Sequence, residues 1–284
     1  MMASDVRITV LVDNEAGEGL VAEHGLSFWI ETAGKRILFD TGQGDALRPN
    51  ARRLGVPLNK ADVIVLSHGH YDHADGLPDV VAQAPQAQMV VHPDAFVARY
   101  SIHPSRPARA VGIAAAARAA IEQLPVEKVI WSDRPVSIAP QVGVTGTIAR
   151  ATDFEDVGGP FFLDEGGQEP DPITDDQALW IETAEGLVVC VGCCHAGLIN
   201  TLQAVRRASG ISRIRAVIGG FHLLHAGQDR LERTVDALRS MAPQTLIPCH
   251  CTGSEAQRRL RESLGESVLP CCSGATFSLT SESM

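Results

Sequence analysis

The chain has 284 residues, 45% hydrophobic and 20% charged, with a formal net charge of −10. That length buries a sizeable core, and the acidic balance argues against a broad electrostatic surface for nucleic acid. No apolar stretch approaches membrane-spanning length and no basic segment leads into an apolar one at the N-terminus, so a cytoplasmic protein is expected, with neither nucleic acid nor membrane as partner.

In chain order, Val6 to Val12, Ser27 to Glu31 and Arg36 to Asp40 read as strands, the last two joined by the turn Ala33-Gly34. A helical pattern follows at Ala46 to Leu54, then the apolar run Ala61 to Leu66 and a strand at Met89 to Val91. Ala114 to Leu124 is alanine-rich and predicted helical. Strand-like runs come at Val129 to Trp131, Val136 to Ile138 and Val142 to Ile148. Residues 153–176 are acidic and punctuated by Gly and Pro, long for a loop in a compact domain; the reading is a solvated loop able to close as a lid. The last third alternates strands (178–183, 187–191, 216–218, 245–247) with helices (197–209, 230–241, 254–264). Helices between strands imply a layered α/β fold. We expect one domain over 1–284, with a lid or insertion around 93–124 and the acidic loop 153–176.

Seven cysteines occur, all from Cys190 onward. An odd number in a leaderless chain does not suggest a disulfide framework, and Cys190, inside the strand 187–191, reads as a small core residue.

The chemistry concentrates after Leu66. Ser67-His68-Gly69-His70-Tyr71-Asp72-His73 gathers three histidines and an aspartate where a buried strand ends. Imidazole and carboxylate together suit zinc, iron or manganese. His68 and His70 share one side of an extended segment; Asp72 continues that side while His73 turns to the other, so a turn there would split the cluster between two cations. Three further strands end in histidine, at His195, His222 and His250. Four such strand ends meeting at one edge of a sheet sandwich would make a metal site.

With Leu38-Phe39-Asp40-Thr41-Gly42, the His68-x-His70-x-Asp72-His73 run, His195 and His250 in this order, the chain resembles the metallo-β-lactamase-fold superfamily. The resemblance implies an αββα four-layer sandwich binding one or two divalent ions, zinc foremost, with iron or manganese as alternatives. It implies a first metal on His68, His70 and His195, a second on Asp72, His73 and His250, and Asp40 behind them as an orienting acceptor. The segments Asp13-Asn14, Glu23 to Ser27, Asp176 to Leu179, Gly192 to Asn200, Gly219 to Leu223 and His250 to Gly253 are similar to the subfamily of dihydropterin–ribofuranosylaminobenzene phosphate synthases.

The superfamily's bridging aspartate has no counterpart after the strand 216–218, where Gly219-Gly220-Phe221-His222 stands instead, so His222 is expected in that place. Losing that anion leaves the site more positive, suited to an anionic, phosphorylated small molecule. The expected activity is that of a metal-dependent hydrolase or a pterin-precursor transferase, through a metal-activated water or a metal-stabilised phosphate leaving group, with Asp72 and His222 as catalytic residues. Thioester or lactone hydrolysis, and a non-catalytic redox metalloprotein, are the alternatives. His24, Arg99 and Arg106 are expected to bind substrate, the arginines as a phosphate clamp in the one basic patch, 99–109. Cys251 is expected at the back of the site or packed in the core, and the sequence leaves room for a homo-oligomer.

Overall fold

Short runs of apolar residues set the strands, most of them buried along their length, and the computed structural model, which describes residues 5–280, arranges them in two main sheets. The strands are β1 (Asp5–Val12), β2 (Ser27–Thr32), β3 (Lys35–Phe39), β4 (Val63–Val65), β5 (Gln88–Val91), β6 (Tyr100–Ser101), β7 (Arg109–Ala110), β8 (Val129–Trp131), β9 (Val136–Ala139), β10 (Val142–Val144), β11 (Phe161–Phe162), β12 (Ala178–Thr183), β13 (Gly186–Val191), β14 (Ile214–Gly220), β15 (Thr245–Cys249) and β16 (Thr276–Thr280). The helices are α1 (Leu47–Leu54), α2 (Tyr71–Ala74), α3 (Leu77–Gln83), α4 (Ala115–Glu122), α5 (Leu198–Ser209), α6 (Gln228–Met241) and α7 (Ser254–Leu264).

One sheet runs β16-β1-β2-β3-β4-β5-β8, the other β15-β14-β13-β12-β10-β9. Ile8, Phe28, Phe39 and Val65 of the first meet Leu179, Val188, Ile218 and Ile247 of the second in the central core. The outer face of the first sheet packs Leu38, Ile64 and Met89 against Leu47, Leu77 and Ile121 of the helices. On the second, Val189 and Val217 pack against Leu202, Val205 and Leu238. Burial on both faces explains why all seven residues of β14 are buried. The result is the expected αββα sandwich. Among the described residues, no helix is long and apolar enough to cross a membrane.

Parallel pairing places the site. Strands β3, β4, β5 and β8 run parallel, as do β13, β14 and β15. Their carboxyl ends carry Asp40, His68, His195, His222 and His250 in the chain, and ligands collect at such ends. Four non-glycine residues there adopt left-handed backbone: Asp40 (φ 58), Cys194 (φ 56), His222 (φ 47) and His250 (φ 50). Such strain is of order 1–3 kcal/mol per residue and marks sites where side-chain placement outweighs local comfort.

Several elements depart from the sequence reading. The Ala33-Gly34 hairpin holds, with both residues at positive φ. The run Val142 to Ile148 stops as a strand at Val144, because Thr145 turns its hydroxyl to the Ala178 amide. Helix α3 and edge strand β16 were not foreseen. Hairpin β6–β7, inside the segment 93–124, pairs with β11 from the acidic loop to form a small third sheet. The acidic loop is not simply solvated: Asp171, Asp175 and Asp176 are all buried.

Candidate metal centre

The segment after β4 is extended only as far as His70 (φ −80, ψ 145). There α2 begins, and its single turn swings Asp72 and His73 away from the line of His68 and His70. Gly69 is needed for this path, since a side chain would overlap the Ala95 carbonyl. Its amide donates to Asp175 Oδ2 at 2.7 Å, and the next aspartate, Asp176, accepts the Ala196 amide at 2.7 Å. Two adjacent carboxylates thus pin the loop bearing His68 and His70 and the loop bearing His195.

Two histidine groups result. In the first, His68 Nε2 lies 2.9 Å from His70 Nδ1, which lies 3.1 Å from His195 Nε2. In the second, His73 Nε2 and His250 Nε2 are 3.3 Å apart, and Asp72 Oδ2 stands 3.8 Å from His73 and 3.5 Å from His250. His68, His73, His195 and His250 have side chains sealed from solvent or nearly so.

The outer ring nitrogens decide what the inner ones can do. His73 Nδ1 donates to Asp40 Oδ2 (2.7 Å), His195 Nδ1 to the Val157 carbonyl (2.8 Å), and His250 Nδ1 to Asn14 Oδ1 (2.9 Å). Ser67 Oγ donates to Asp40 Oδ2 (2.7 Å), which leaves its lone pairs for His68 Nδ1 at 2.9 Å. Each neutral imidazole with its outer nitrogen protonated presents a bare lone pair inward. In the first group, lone pairs converging at 2.9 and 3.1 Å are relieved by a cation among them, whereas His73, drawn to its protonated form by Asp40 and Asp72, exchanges its Nε2 proton for a metal. The donor set fits a divalent metal at each group.

Electrostatics agree for the first group. Burial pushes His68, His70 and His195 well below the usual imidazole range, so they stay neutral and ready to ligate. At the second, burial again opposes charge, but Asp40 and Asp72 outweigh it and raise His73 to about 9. Burial would raise Asp72, yet His73, the His24 hydrogen bond and His250 hold it well below the usual carboxylate range.

A cavity of about 560 Å³ opens onto these groups, lined by His24, His70, Tyr71, Asp72, Arg106, Arg109, Phe161, His195, His222 and His250 among others. That size suits a small-molecule ligand. His24 Nε2 lies 3.2 Å from Asp72 Oδ2, which places it at the rim. Phe161 sits over the first group, its ring centroid 5.1 Å from His70 and 5.3 Å from His195.

Not every expected residue comes here. Arg99 is corrected: it is buried, not at the cavity, and binds Asp171 Oδ2 at 2.8 Å and Asp175 Oδ2 at 2.9 Å. The carboxylates it answers to are the ones the sequence reading left in solvent. Arg106 does line the cavity, with Arg109, His103 and His225. His222 lies beside the first group, its ring tilted against His195 with the centroids 4.3 Å apart. The place between the two groups also holds Cys193, whose Sγ is 3.2 Å from His73 Nε2; the sequence offered it only within Cys190-x-x-Cys193, which lacks a second pair at zinc-ribbon spacing. Ser67, Asn14, Asp175 and Asp176 were missed as supports; the pair Asp175-Asp176 just before a buried strand was the available signal.

A model of the metallo-beta-lactamase superfamily matches residues 20–191. Among curated proteins, an uncharacterised protein of Methanocaldococcus jannaschii is 34% identical, over 90% of this chain and 94% of its own length. A 7,8-dihydropterin-6-methyl-4-(beta-D-ribofuranosyl)-aminobenzene-5'-phosphate synthase of the same organism is 30% identical, over 92% of each chain. The crystal structure of a metal-dependent hydrolase of the beta-lactamase superfamily matches with a TM-score of 0.83 and 29% identity, covering 97% of this chain and 100% of that one. The fold protein YhfI of Bacillus subtilis matches with a TM-score of 0.58 at 14% identity, over 97% and 99% of the two chains.

Proposed function

Since this chain belongs to the metallo-beta-lactamase superfamily, we propose that it is a zinc-dependent hydrolase or transferase acting on a phosphorylated small molecule held between its histidine groups and an arginine-bearing hairpin. The observation that carries this reading is the orientation of the imidazoles: the outer nitrogens of His68, His73, His195 and His250 each have a partner, that of His70 has none, and the inner nitrogens of each group converge. Divalent ions on such donors acidify water and neutralise negative charge on a leaving oxygen.

The chain's own residues do the rest. Asp40 fixes the His73 ring, and Asn14 fixes that of His250. Asp72, held ionised among His24, His73 and His250, is placed to accept a proton from an attacking group. His222 faces the cavity beside the first group, its ring centroid 4.3 Å from that of His195. Phe161 walls the cavity beside His70 and His195.

Anion preference comes from the hairpin more than from the metal-site charge. Arg109 Cζ stands 4.7 Å over the Tyr71 ring, and Arg106 and His103 project from the same β6–β7 connection into the cavity. A flat heterocycle joined to a phosphate, the chemistry in the name of the synthase relative, matches a cavity with an aromatic wall and a cationic rim.

The test is a panel of phosphate esters, thioesters and lactones assayed with added zinc, manganese or iron. Turnover of phosphorylated substrates is expected. Arg106→Ala and Arg109→Ala should each raise KM for these by roughly ten- to a hundredfold, the scale of one lost charge-assisted hydrogen bond, with little effect on uncharged substrates. Turnover confined to lactones or thioesters, indifferent to both arginines, would contradict the reading.

A further inference from the structure

Behind the two histidine groups lies a second kind of donor. Cys193 Sγ, 3.2 Å from His73 Nε2, is within 4.8 Å of a ligand atom of His68 and His73, of His195 and His222, and of His250 and Cys251. Cys251 follows His250, is buried, and its Sγ donates to the Cys193 carbonyl at 3.7 Å.

The surroundings are cut to fit this cluster. A side chain at Gly158 would overlap the His222 ring, and one at Gly220 would come 2.5 Å from Cys251 Sγ. His222 holds a left-handed backbone at φ 47, and its Nδ1 is buried without a hydrogen-bond partner. Ordinary core packing of two thiols asks for neither the strain nor the unpartnered imidazole nitrogen.

We propose that Cys193 and Cys251, with His222, are metal-binding residues: Cys193 serves the position between the histidine groups, and Cys251 and His222 extend it into a mixed thiol–imidazole set. This rests on the metal-dependent reading above and sharpens it. Thiol ligands bind as thiolates and release a proton on loading. They restore the negative charge that a missing bridging aspartate would have supplied, and they select thiophilic ions such as zinc, cobalt(II) or iron(II) over magnesium and manganese(II).

The experiment uses the full chain, stripped by a chelator under reducing conditions and reloaded with cobalt(II), with bound cobalt quantified by metal analysis. Thiolate ligation appears as a sulfur-to-cobalt charge-transfer band in the near-ultraviolet, separate from the visible bands that nitrogen and oxygen ligands give. We expect the band in the wild-type protein, a loss of intensity in Cys193→Ser and in Cys251→Ser, and its absence in the double variant. Cys194→Ser, whose thiol packs in the helix-side core, should keep it in full. Cobalt bound by the wild type with visible bands and no charge-transfer band overturns this inference and leaves the histidine sites standing. A band that persists in the double variant also overturns it. Failure to bind cobalt at all removes the metal-dependent reading together with it. The wild-type spectrum alone decides the matter if a serine variant does not fold.

Discussion

His70→Ala is expected to lose the metal of the first group and to fall to the turnover of the metal-free protein. His70 Nδ1 is the centre of that group, 2.9 Å from His68 Nε2 and 3.1 Å from His195 Nε2, so its loss removes one of three protein ligands. Metal affinity should drop by more than the roughly 10–100-fold that removal of an outer hydrogen-bond partner costs. Asp40→Asn provides that comparison. It keeps the side-chain shape, but it weakens the acceptor for His73 Nδ1, the Ser67 amide and Ser67 Oγ, and so should cost within that range. Titration with a competing chelator ranks the two. Equal affinities for wild type and His70→Ala would be incompatible with the site described.

Arg99→Met carries the largest expected loss of stability. The guanidinium is 1% exposed and bonds two buried carboxylates, Asp171 and Asp175, while Asp175 also holds the Gly69 amide. Burial raises Asp175 even with Arg99 beside it, so removal of the cation leaves charges that the interior cannot solvate. Breaking one side of a buried ion pair costs about 3–5 kcal/mol, which for a chain of this size lowers Tm by roughly 6–12 °C. The prediction separates two roles. A phosphate clamp would raise KM at unchanged Tm, whereas the buried pair predicts the reverse for any protein that remains folded. Thermal denaturation of Arg99→Met beside Arg106→Ala reads both.

What the sequence disclosed follows from where each interaction reaches. His68, His70, Asp72 and His73 were legible because they are adjacent and follow an apolar strand; His195 and His250 were legible because each ends another. The layered fold followed from strands alternating with helices, and most helix positions were found from apolar spacing alone. Arg99 was misread because its partners lie 72 and 76 residues away, in a stretch whose composition signals solvent. Local composition carries no information about a buried pair formed across that distance. Cys193 gained no role from the sequence because Cys190-x-x-Cys193 has no second pair at zinc-ribbon spacing, and only the convergence of β4 and β13 sets it against His73. The electropositive site inferred from His222 weakens for the same reason, since a thiol stands near the place of the missing carboxylate. The anion preference now rests on Arg106 and Arg109 instead. The turn at α2 was anticipated in purpose but not in form: one helical turn, rather than a bend in an extended chain, carries His73 to Asp40.

The central claim is that His68, His70 and His195 hold a metal. Its most direct test is elemental analysis of the zinc-reconstituted chain after gel filtration, set against the His68→Ala/His70→Ala/His195→Ala variant. The account predicts tightly held zinc in the wild type and loss of the first-group ion in the variant, with circular dichroism showing the fold retained. A wild-type chain that retains no zinc, or a variant loaded to the same level, would contradict it.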